Sequence, residues 1–185
     1  MSGQNGSPGA DVGCNASAAC PIMAASPQHR HFCHPGVCMK FGYFSQLQMP
    51  KPWRENGERL LYKEAMEQAV HAESVGFDCY WQTEHHFYPE IGHSSSPELF
   101  LAALAQRTTT IRLGLAVVVL PCNHPYRVVE YVSTLDQLSD GRVEFGTGRG
   151  ASPYHVEAFG VSSEQSKELW NESLEVICSM FLNNP

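Results

Sequence analysis

A glutamate and two histidines, Glu84-His85-His86, stand between the apolar run Phe77 to Trp81 and a helix start at Ser96-Pro97. Imidazole titrates closest to neutrality of the side chains, so either ring could move a proton in a reaction. Side chains alternate faces along extended backbone, so adjacent histidines do not readily enter one pocket or hold one metal ion. One ring is expected to face the chemistry and the other to support it. A second candidate is Phe145-Gly146-Thr147-Gly148-Arg149-Gly150. Its glycines let backbone approach a ligand, its N–H groups can meet an anion, and the Arg149 guanidinium can fork onto a phosphate. Gly141 reads as a plain helix stop.

These residues need a scaffold, and the patterning from Met39 onward supplies one. Lys40 to Phe44 reads as a strand, and Tyr62, Ala65, Met66, Ala69 and Val70 form the stripe of an amphipathic helix that Gly76 ends. Phe77 to Gln82 is a second strand, followed by a helix over Glu98 to Arg107 that Pro97 opens. Arg112 to Leu120 is a third strand whose nearly continuous apolar run implies burial on both faces. Asn123 to Pro125 caps a third helix through Leu138, Val143 to Thr147 is strand four, and Ser162 with Gln165 forms a capping box for a helix to about Leu182. Strands recurring at the length of a βα unit suggest an α/β barrel or a doubly wound sheet. The first βα turn reads Ser45-Gln46-Leu47-Gln48-Met49-Pro50, not G-x-G-x-x-G, so the (β/α)8 TIM barrel is favoured. A full barrel takes about 250 residues. Only its first four βα units are expected here, with open edges at strands one and four that would invite association.

Composition narrows the partners. The net charge is −7 with 12 Lys+Arg and no long basic run, which lacks the footprint of a nucleic-acid binder. No apolar run reaches the ~18 residues of a membrane span. Residues 1–38 are rich in Gly, Ser, Ala, Asn, Pro and His and read as a disordered extension without an export signal, so Met39 is a candidate natural start. Cys14, Cys20, Cys33 and Cys38, with His29, His31 and His34, match no zinc spacing. Cys79, Cys122 and Cys178 read as buried or reduced thiols of a cytoplasmic protein, and Trp81, Tyr126 and Trp170 as packing residues. Tyr154-His155 reads either as pocket lining or as surface loop.

Met39-Lys40-Phe41-Gly42, Glu84-His85-His86-Phe87, Val118-Val119-Leu120-Pro121 with His124-Pro125, and Leu135 to Arg142 running into Phe145 to Gly150 together resemble the bacterial luciferase-like flavin monooxygenases. The resemblance spans Met39 to about Leu182 and implies a TIM barrel that uses reduced FMN (FMNH2) and O2. It further implies a peroxyflavin, a small-molecule substrate, a flavin reductase as the source of FMNH2 and a homodimer at full length. His85 becomes the catalytic residue beside the reactive flavin carbon, and Glu84 lies with it at the cofactor. Arg149, between Gly148 and Gly150, becomes the phosphate ligand. Ala116-Val117 would lie beneath the isoalloxazine ring, joined by a non-proline cis peptide bond.

Gly148 stands where luciferase has a reactive cysteine, and Ala151 and Ser152 replace larger flavin-contacting residues. A non-luminous monooxygenase is therefore expected. One alternative is a non-catalytic flavin-binding or partner subunit, against which the retained Glu84-His85-His86 argues. Another is a metal-dependent barrel hydrolase using Glu84, His85, His86, His93 and His124, although strand one lacks the histidine pair that such hydrolases carry.

Overall fold

A computed structural model describes residues 33–34, 37–150 and 152–182. Most of the N-terminal extension, including Cys14, Cys20, His29 and His31, lies outside the described residues. At its end, strands β1 (Cys33–His34) and β2 (Val37–Cys38) pair antiparallel.

Four parallel strands then form one sheet in chain order: β3 (Gly42–Ser45), β4 (Cys79–Gln82), β5 (Arg112–Val119) and β6 (Val143–Gly148). Consecutive strands are neighbours because each is followed by a helical return, α1 (Gly57–Ser74), α2 (Pro97–Ala105), α3 (Pro125–Leu138) and α5 (Ser166–Leu182). This is the βα repeat of a TIM barrel, carried through four units. Strands one and two begin two residues later than the apolar runs suggest, and α2 ends two residues short of Arg107. The Ser162–Gln165 box forms, with the Gln165 N–H donating to Ser162 Oγ at 3.3 Å. It sits on a turn ahead of the helix, which starts at Ser166.

One face of the sheet builds the core. Tyr80, Leu113 and Leu115 are fully buried there, against Ala69 of α1, Leu101 and Leu104 of α2, and Val128 of α3. Tyr80 stacks between Tyr43 and Phe100, with ring centres 5.4 and 5.7 Å away. Its hydroxyl donates to Gln82 Oε1 at 2.9 Å, which satisfies a polar pair beneath the helices. Trp81 occupies the opposite face. A Cβ at Gly114 would lie 2.2 Å from Trp81 Cε3, and one at Gly42 would lie 2.9 Å from Trp81 Cδ1. The indole therefore lies flat across its two neighbouring strands, in space that glycines leave open.

Arg142 locks the lower end of the sheet. Its buried guanidinium donates to the carbonyls of Ala105, Thr108 and Ile111 and to Thr108 Oγ1, and its Nε donates to Ser139 O at 2.7 Å. Ala105 and Ser139 stand at the ends of α2 and α3, where a cation is favoured, and Thr108 and Ile111 belong to the loop that leads from α2 into β5. Glu73 at the end of α1 does the complementary work, accepting from the N–H groups of Thr109, Thr110 and Ile111. Those bonds hold its carboxyl below the usual range even though burial opposes them.

One packing expectation needs correction: Tyr126 is exposed on the first turn of α3, where it points away from the core. Cys79, Cys122 and Cys178 are free thiols, buried, half-buried and exposed in turn. Trp170 does pack against the core, and its Nε1–H donates to Thr147 Oγ1 at 3.1 Å. No helix among the described residues is long and apolar enough to cross a membrane.

Candidate functional site

Parallel strands put the carboxyl ends of β3 to β6 on one rim, and the segment between β4 and α2 folds back over that rim. His85 N–H donates to Ser94 O at 2.8 Å, Gly92 N–H to Tyr88 O at 3.2 Å, and His93 N–H to Leu47 O at 3.0 Å. The loop is thereby tied to itself and to the segment after β3. Gly92 is needed for this closure, since a Cβ there would lie 2.4 Å from Gln46 O and 2.8 Å from His85 Cδ2. The glycine backbone thus forms a wall against which the His85 ring rests.

The two histidines divide as alternation requires. Glu84 is buried; its Oε2 accepts from the Val119 N–H at 2.8 Å, while Oε1 accepts from Asn123 Nδ2 at 3.1 Å and meets His86 Nε2 at 2.7 Å. His86 is thus fixed by Glu84, and its ring packs on Phe159 with centres 4.8 Å apart. Both nitrogens of His85 are buried without a protein partner. Its ring meets His155 edge-on at 5.5 Å. Burial pulls the pKa of His85 below its ordinary value, and the neighbouring His155 and His86 add to the shift against the opposing charge of Glu84. His155 shifts in the same direction, chiefly through burial.

Glu84 reaches further. Burial raises the Glu98 carboxyl, with the Glu84 charge as a further cause, and burial also raises the Tyr131 phenol, with Glu84 and Glu98 adding to it.

At the next strand pair the Ala116–Val117 peptide bond is cis, as the resemblance implies. The β5–β6 register shifts between Leu115 and Val118, and Val117 is 36% exposed. The expectation that Leu113 to Leu120 is buried on both faces fails at this irregularity, which turns Val117 outward. The following glycines serve the same packing. A Cβ at Gly148 would lie 2.5 Å from Val117 Cγ2, and one at Gly150, whose φ is +84°, would lie 2.9 Å from Val156 Cγ1. Close approach at these positions comes from the chain's own valines. Arg149 between them is exposed. Ser152 stands at the N-cap position of the short helix α4 (Pro153–Glu157) without a side-chain capping bond, and Ala151 lies outside the described residues.

A cavity of about 620 Å³ lies beside His85 and is also lined by Trp53, Phe87, Tyr88, Gly92 and His93. Arg149, Ala116 and Val117 are not among its lining residues. Of Tyr154-His155, Tyr154 is exposed, while His155 is buried and brought against His85 by α4, whose start was signalled by Ser152-Pro153. Sequence reasoning missed two features that shape the site. Gly92 and the pairing of His93 Nδ1 with Glu58 Oε1 at 2.7 Å join segments far apart in sequence and left no local signal. The same pairing bears on the metal reading, because His86, His93 and His124 are each taken up by a different protein partner. His124 Nδ1 accepts from the Tyr126 N–H at the start of α3.

The family model of the luciferase-like monooxygenases matches residues 39–183. The alkanal monooxygenase alpha chain of the Kryptophanaron alfredi symbiont is 37% identical over 143 residues, which are 75% of this chain and 38% of the relative. Limonene 1,2-monooxygenase of Rhodococcus erythropolis is 36% identical over 128 residues, covering 68% of this chain and 33% of that enzyme. Among solved structures, the oxygenating constituent of 3,6-diketocamphane monooxygenase from Pseudomonas putida, in complex with FMN, superposes with a TM-score of 0.70 at 28% identity. That match covers 76% of this chain and 38% of the neighbour. The chain thus spans well under half the length of the relatives it matches.

Proposed function

We propose that this chain, which belongs to the luciferase-like monooxygenase family, contributes the reacting histidine and the phosphate ligand of an FMN-dependent monooxygenase of small organic molecules. The observation that carries this reading is His85, a half-buried imidazole whose two nitrogens are both buried and unpartnered, just past the carboxyl end of a barrel strand. Buried polar atoms without partners are rare, and here they stand beside a cavity where a ligand could meet them. The residues present fit a flavin. An exposed guanidinium at Arg149 suits the phosphate, and the half-open Ala116–Val117 segment on the adjacent strand offers an apolar surface for a ring system.

Bound reduced flavin would supply the electrons that activate O2. His85, uncharged at neutral pH through its lowered pKa, would donate one N–H to the reacting oxygen and accept with its other nitrogen. Glu84 would act through backbone, holding the Val119 N–H and so the carboxyl end of β5 next to His86. Buried aliphatic side chains of β5 would keep water from the reacting side. Because the chain covers only part of its relatives, we place the full activity, the reductase and the dimer in the closed barrel, to which these four units contribute.

FMN titrated into the purified chain and followed by flavin fluorescence tests the assignment. Binding should be saturable, about tenfold or more weaker in Arg149→Ala, where a charge-assisted contact is lost, and little changed in His85→Ala. Equal binding by the wild-type and Arg149→Ala chains would remove Arg149 from the site.

A further inference from the structure

His93 lines the same cavity as His85, and the reading above gives it no task. Its side chain is only 7% exposed, and its surroundings fix it on every side but one. The backbone N–H donates to Leu47 O at 3.0 Å, the backbone carbonyl accepts from the Tyr62 hydroxyl at 2.6 Å, and Trp53 packs edge-on with ring centres 6.2 Å apart. Nδ1 meets Glu58 Oε1 at 2.7 Å. Nε2 is buried and has no protein partner.

An ionised carboxylate only accepts hydrogen bonds, so the Nδ1 that faces Glu58 carries the proton. In the uncharged ring that leaves Nε2 as a bare acceptor, in a cavity whose lining combines the apolar Met49, Trp53, Phe87, Tyr88 and Pro89 with the polar Arg54, Asn56, Arg59 and Ser95. A buried acceptor beside the aromatic side of the cavity recognises a donor on the ligand. A hydrocarbon leaves Nε2 unsatisfied, and a carbonyl oxygen presents lone pairs to a lone pair. We propose that His93, oriented by Glu58, is the substrate-recognition residue of this cavity and selects an apolar molecule carrying a hydroxyl group, an alcohol or a phenol. The inference rests on the proposed function only in naming the cavity as the substrate's.

Its test needs neither flavin nor O2, so loss of oxygenation and loss of hydroxyl recognition remain separate results. The chain is labelled with 15N in its histidine rings and titrated with cyclohexanol, cyclohexanone and methylcyclohexane. Free His93 should show the Nδ1–H tautomer, and cyclohexanol should move its Nε2 resonance and bind about three- to tenfold tighter than either other probe. His93→Phe should abolish that preference while methylcyclohexane still binds. Glu58→Ala, at an exposed position and with its fold checked by thermal unfolding, should lower the alcohol-to-ketone ratio by freeing the tautomer. Equal affinity for the three probes, an Nε2–H tautomer in the free chain, no binding of any probe, or an unchanged ratio in Glu58→Ala each overturns the proposal.

Discussion

The imidazoles of His85 and His155 meet edge to face with ring centres 5.5 Å apart, and three of their nitrogens are buried without a protein partner. Both rings have pKa values below the ordinary 6.5, with burial as the first cause in each. Below pH 6.5 the unfolded chain therefore binds protons that the folded chain refuses. Stability is full above the unfolded value and declines as pH falls from there toward the lowered folded values. The urea midpoint should be lower at about pH 5.5 than at about pH 7.5. His155→Phe keeps a ring over His85 but removes one titrating group and its charge, so the acid loss should shrink and the His85 pKa should rise. An acid loss of the same size in this variant, or a His85 titration unmoved by it, would contradict the coupling.

Gly114 and Trp81 make a second pair whose fit can be tested. A methyl group at Gly114 would lie 2.2 Å from Trp81 Cε3, far inside van der Waals contact, and Trp81 is hemmed on its other side by Gly42. Gly114→Ala should cost about 1 to 3 kcal/mol, as overpacking does, although glycine to alanine in a strand is otherwise mildly favourable. Trp81→Phe in the same chain should recover much of the loss by vacating the space. Thermal unfolding of the two single variants and the double variant measures the coupling. Additive effects would show that the indole does not fill the space over Gly114.

Much of this was legible in the chain. Tyr62, Ala65, Met66, Ala69 and Val70 fall within α1, and Ala65 and Ala69 are buried as their spacing requires. Gly76 follows the helix with φ at +90°. The split between His85 and His86 followed from strand alternation alone. What the sequence could not disclose is long-range. Glu58 and His93 come from different βα units, and so do Glu84 and the Val119 N–H it holds. The glycines after β6 were legible as points of close approach, but their occupant was not. It is Val117, turned outward by an irregularity in β5 that interrupts an otherwise uniform apolar run. Patterning reports which face is buried and says nothing about which neighbour fills it.

Glu84→Gln is the substitution that separates support from chemistry in Glu84-His85-His86. The glutamine oxygen can still accept from the Val119 N–H, but its amide nitrogen then faces Asn123 Nδ2 and His86 Nε2, where the carboxylate accepted from both. Asn123 cannot flip to relieve the clash, because the same Nδ2 donates to Val119 O at 2.9 Å. His86 can adapt by moving its proton to Nδ1 and accepting at Nε2. Stability should therefore fall by about 1 to 3 kcal/mol, the cost of one buried donor left unpaired. The 15N resonances of the His86 ring should report a change of tautomer, while those of His85, which makes no bond to Glu84, should keep their tautomer. Unchanged unfolding together with an unchanged His86 ring would show that Glu84 does not hold this rim together.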